Sequence, residues 1–152
     1  MRTSALLSAL CISCISLPAH AELYLISRNK IDGTDLTGAT FLRSSQMTTM
    51  ASCEAEIKAA RTTGFQIFSR LYVKTHKGFS AQMQLYCAES EQSISPFAPK
   101  VLGSYTYLVT IAGNRLQLQA FENLGQCTGK LGAGKQTSNV QFCAKSTQSL
   151  KP

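Results

Sequence analysis

The fold turns on two stretches read together, Cys87-Ala88-Glu89-Ser90-Glu91-Gln92-Ser93 and Cys143-Ala144-Lys145-Ser146-Thr147-Gln148-Ser149. Both follow C-A-x-S-x-Q-S, five identities in seven ungapped positions, and an aromatic residue, Tyr86 or Phe142, precedes each cysteine. Upstream, Leu23-Tyr24-Leu25-Ile26-Ser27 matches Tyr107-Leu108-Val109-Thr110-Ile111 as a short apolar strand. Each half therefore reads strand, second strand, cysteine, variable segment, strand ending in cysteine. This pattern predicts a duplicated unit with a first half over residues 22–93, a linker over 94–103 and a second half over 104–152, packing as one domain. Ile94 to Lys100 suits a linker, because Pro96 and Pro99 each bias their predecessor toward extended backbone.

Residues 1–21 stand outside this plan. Arg2 gives a short positive end, Ala5 to Leu17 is an apolar run broken by small residues, and Ala19-His20-Ala21 offers an A-x-A cleavage site. The run is too short to anchor in a bilayer. A signal peptide cut after Ala21 is the expectation, with a periplasmic or secreted product. Its loss leaves 131 residues, a formal charge of +6, one histidine and four cysteines.

Four cysteines in a small exported domain read as two disulfides rather than metal ligands. Of the three connectivities, duplication favours one staple inside each half, Cys53–Cys87 and Cys127–Cys143. By loop entropy each is worth about 3 kcal/mol.

Between the cysteines the elements follow from periodicity. Ser52 is a candidate helix cap, Glu54 and Glu56 lie in the first turn, Lys58 and Arg61 lie toward the end, and Gly64 can stop the helix. Cys53, Ile57 and Ala60 share a face. Phe65, Ile67, Leu71 and Val73 fall at strand spacing, and Phe79 to Cys87 alternates as a half-buried strand. In the second half, Tyr105–Ala112 and Arg115–Glu122 flank Gly113-Asn114, a two-residue hairpin signal. Thr128 to Ser138 is rich in Gly and Lys, so no second helix is expected there. The fold class is α+β, an antiparallel sheet with one main helix, built from two disulfide-stapled strand-(helix)-strand repeats.

Few motifs carry chemistry. Gly129 to Lys135 copies the start of a phosphate-binding loop, but Gln136 stands where a magnesium-binding hydroxyl is needed. It reads as a flexible basic loop. His76 lies among Lys74 and Lys77 and lacks a nearby orienting acid. Met47, Met50 and Met83 are packing residues before they are soft-metal ligands. No catalytic residues, metal site or cofactor are expected, and the protein is read as a non-enzyme.

Charge is the more informative signal. Lys74, His76 and Lys77 lie on one loop, and Lys130, Lys135 and Lys145 lie in the corresponding segment of the second half. Together they form a candidate basic binding surface for an acidic protein partner. The expected function is an inhibitor- or immunity-type binding protein. The alternative is an envelope-surface or matrix protein that holds anionic glycan or lipid, and a secreted enzyme or toxin ranks below both. Nucleic acid is not expected, because the second basic stretch has no aromatics for stacking.

Overall fold

The computed structural model describes residues 21–68, 81–98, 103–133 and 139–151. Eight elements follow in chain order: β1 (Glu22–Ile31), β2 (Thr37–Leu42), α1 (Met50–Thr62), β3 (Ala81–Ser90), β4 (Tyr105–Ala112), β5 (Arg115–Phe121), α2 (Leu124–Ala133) and β6 (Val140–Ser146). The class is α+β, and the six strands close into a barrel in the order β1-β2-β6-β4-β5-β3.

Two features differ from the sequence expectation. First, the sheet is mixed rather than antiparallel. β1 pairs antiparallel with β2 and β3, and β4 with β5 and β6. The barrel then closes through two short parallel contacts, Gly38 with Lys145 and Glu89 with Arg115. Antiparallel hairpins alone would have left four open edges, and joining the two three-stranded units edge to edge removes them.

Second, the described residues form two helices rather than one. The Gly-rich stretch expected to be a loop is helical as far as Ala133. Asn123 starts α2, its side-chain Oδ1 accepting the Gln126 N–H at 2.9 Å. Leu124, Cys127 and Leu131 then recur at helical spacing and pack on Leu108, Phe121 and Cys143 of the barrel's outer wall. Tertiary packing overrides the poor helix propensity of Gly125, Gly129 and Gly132.

The cap of α1 lies three residues before the expected one. Thr49 is the cap and Ser52 completes a reciprocal capping box with it. Gly64, at φ +93°, ends the helix by donating its N–H to the Ala59 carbonyl at 3.0 Å. Beyond it, residues 65–68 are not a strand; they form a turn held by buried Glu56, whose Oε1 accepts the N–H groups of Ile67 and Phe68 at 2.8 and 3.1 Å. The rest of that expected strand, Leu71 and Val73, lies outside the described residues. Gly113, at φ +58°, makes the tight β4–β5 hairpin.

The strands' alternation divides the apolar residues into three groups. Tyr24, Ile26, Phe41, Tyr107, Val109 and Phe142 point inward and fill the barrel with their neighbours. Leu25, Leu42, Met47 and Cys53 form a second cluster where α1 lies on the outside. Met47 is thus a packing residue. The third cluster lies under α2. Cys53 is joined to Cys87 and Cys127 to Cys143, so each helix is bolted to the barrel wall.

Candidate binding surface and cleft

Of the six residues assigned to a basic surface, Lys74, His76, Lys77 and Lys135 lie outside the described residues. Lys130 is exposed on α2, three residues beyond Cys127. Lys145 is half-buried on β6, two residues beyond Cys143 and on the same face of the strand. Both therefore sit close to the second staple, on elements it holds against each other. Among the described residues neither makes an ion pair; the pairs present are Arg43–Glu22 and Arg115–Glu91.

The barrel's two parallel contacts are supplemented by glutamine side chains. After β6, Gln148 reaches back to β2: its Oε1 accepts the Phe41 N–H at 2.7 Å, and its Nε2 donates to the Phe41 and Ser95 carbonyls, each at 2.8 Å. It is 1% exposed. After β3, Gln92 does the same to β5, accepting the Leu118 N–H at 2.6 Å and donating to the Leu118 carbonyl at 2.9 Å. Gln92 is only half-buried, and among the described residues its side chain has no third bond.

That difference coincides with a cleft of about 370 Å³ on the β3–β5 side. Glu89, Glu91 and Gln92 line it beside Arg115, Gln117 and Gln119 of β5. The volume lies in the small-ligand range. Sequence reading missed it, because Gln117 and Gln119 alternate with Leu116 and Leu118 as any solvent face does. The only signal was Gln92 itself, one of the shared residues in the seven-residue pattern.

Two buried tyrosines tie the barrel's interior to the segments that cross it. Tyr24 donates its hydroxyl proton to Glu22, which also pairs with Arg43, and accepts the Ile94 N–H at 3.4 Å. Burial, reinforced by the bond to Glu22, pushes the Tyr24 phenol up to about 12. Tyr107 donates to the Gln148 carbonyl at 3.0 Å and accepts the Leu150 N–H at 3.2 Å. Burial raises its phenol too. Ile94 and Leu150 bridge each other, so the two crossing segments meet in the middle.

At one end of the barrel, the Arg28 guanidinium lies 4.6 Å above the Phe142 ring centre and donates to Gln84 at 3.0 Å. Among the described residues no group of three or more His, Cys, Asp or Glu is placed to hold a metal ion, and no helix is long and apolar enough to cross a membrane. No protein-family model, curated protein or solved structure matches this chain.

Proposed function

We propose that this chain is an exported, non-catalytic binding protein that engages an acidic protein partner through a basic surface. The observation that carries this reading is the pair of helix-to-wall disulfides, with Lys130 and Lys145 beside the second of them. Two such staples suit an oxidising compartment. They also fix the recognition surface before the partner arrives, which lowers the entropy cost of association. Export is supported by the placement of β1, whose first residue, Glu22, directly follows the A-x-A site. The basic surface comprises Lys74, His76, Lys77, Lys130, Lys135 and Lys145.

We further infer that the scaffold is a duplicated ββαβ unit. Strand register supports this: Leu25 pairs with Cys87 as Leu108 pairs with Cys143. It sets Tyr24 against Tyr107, one position from the match made on sequence alone. The shared residues also do matching work. Ser90 and Ser146 each cap a glutamine N–H, at 3.1 and 3.2 Å, and Gln92 and Gln148 each clamp a strand of the opposite half.

The test is capture from an envelope extract on immobilised residues 22–152, washed with rising salt. One stoichiometric protein, retained at moderate salt and lost when Lys130 and Lys145 are replaced by glutamate, supports the proposal. Glycan or lipid alone, released as soon as salt screens exposed charges, replaces it with the envelope-surface reading.

A further inference from the structure

We propose that the β3–β5 cleft is a strand-addition site that takes an extended basic peptide segment of a partner protein, with Gln92 as its removable plug. This goes beyond the basic-surface reading and does not depend on it.

β3 runs parallel to β5 only where Glu89 lies against Arg115, with the Glu89 N–H on the Asn114 carbonyl at 2.8 Å. It ends at Ser90, while β5 continues to Phe121. Among the described residues no strand covers the rest of that β5 edge, and such an edge is a template for another chain. Leu118 sits on that stretch. The Gln92 amide supplies it with one acceptor and one donor, the same pair that a neighbouring strand's peptide groups would supply.

The matching position across the barrel is the internal control. There Gln148 is locked by its third bond to Ser95 and is buried, and the cleft of about 280 Å³ that its partners Phe41 and Ser95 help to line does not reach Gln148 itself. Gln92 makes two bonds, is half-buried and borders open space of about 370 Å³. Exchanging its two neutral bonds for two equivalent ones with a peptide is close to neutral in hydrogen bonding. The contacts the peptide adds are then net gain. Main-chain pairing of this kind gives affinity, and side chains give selectivity.

The charge next to the vacancy sets the selectivity. Glu89 and Glu91 stand two residues apart in the cleft lining, and among the described residues Glu91 pairs with Arg115 at 3.9 Å in an exposed pair. Alternate residues of an extended peptide face the same side, so lysines at every second position meet these carboxylates.

The test uses the oxidised 22–152 chain and a capped six-residue peptide alternating valine and lysine, with an N-methylated copy as control. Binding is followed by amide NMR shifts. Shifts at Leu118 and the Gln92 side-chain amide are expected with the plain peptide and not with the N-methylated one. Gln92→Ala should bind about tenfold more tightly, since no plug must be displaced, and Glu89→Gln with Glu91→Gln should weaken binding. Equal binding of both peptides to the wild-type protein overturns strand addition without reference to any variant. No binding by either wild type or Gln92→Ala overturns the site. A neutral saccharide that shifts the same amides when the peptide does not would make the cleft a small-ligand pocket instead. None of these outcomes depends on Lys130 or Lys145, so this inference and the proposed basic surface fail separately.

Discussion

Gln148 commits its side-chain amide to three backbone partners at a site closed to water. Gln148→Ala would strand the Phe41 N–H and carbonyl and the Ser95 carbonyl, a loss of roughly 2–4 kcal/mol. Gln92→Ala touches one residue at a half-open site and should cost roughly 1 kcal/mol. Denaturant unfolding of both variants checks the order, and equal losses would contradict the difference in burial that separates the two clamps. Tyr24 makes a residue-scale prediction about pH. Its folded phenol titrates near 12 against 10 for the ordinary group. A raised pKa means the unfolded chain releases its proton first, so stability is complete below pH 10 and falls as pH climbs from 10 toward 12. Tyr24→Phe should flatten that alkaline loss, read as melting temperature against pH alongside tyrosinate absorbance. If the phenylalanine variant declines as steeply as wild type above pH 10, Tyr24 is not the group responsible.

Helix α2 is the element whose prediction is sharpest, because it is held by packing against its own composition. Gly129 and Gly132 have ordinary negative φ, and a Cβ at either would meet nothing within 4 Å. Replacing each by alanine should therefore stabilise the protein by about 0.5–1 kcal/mol, through lower backbone entropy in the unfolded chain. A destabilised Gly129→Ala would mean that the helix end is not formed as described. The same element shows why sequence reading stopped where it did. Three glycines in ten residues lower local helix propensity, while the terms that outweigh them, the bond to Cys143 and the burial of Leu124 and Leu131, are long-range. The elements that were legible carried local signals: the alternation through β3, the Gly113-Asn114 hairpin, and the cysteine, serine and glutamine positions shared by two seven-residue stretches. The parallel contacts left no such mark, since Gly38 and Lys145 are distant in sequence and need only be exposed edges. The cleft was hidden for the same reason, as it exists only where the ends of β3 and β5 diverge.

At the scale of the whole molecule, the staples and the barrel divide the labour. Each disulfide lies outside the barrel, joining a helix to a strand of one three-stranded antiparallel unit, whereas these two halves of the barrel are held to each other by the parallel contacts, the glutamine clamps and the Ile94–Leu150 bridge. Neither half can keep its strand edges covered once the other unfolds. The molecule should therefore unfold in a single transition even though its strands pair as two three-stranded units. Replacing Cys127 and Cys143 together by serine should lower stability by about 3 kcal/mol through loop entropy without splitting that transition. Removing Cys53 and Cys87 should act alike, and slightly more, because the loop it closes is longer, with a separation of 34 residues against 16. Far-ultraviolet dichroism, which follows the strands and helices, and near-ultraviolet dichroism, which follows the buried tyrosines, should give one midpoint in each variant. Two separated midpoints after loss of the second staple would mean that the halves are stable alone, and that the clamps join finished units rather than complete a shared barrel.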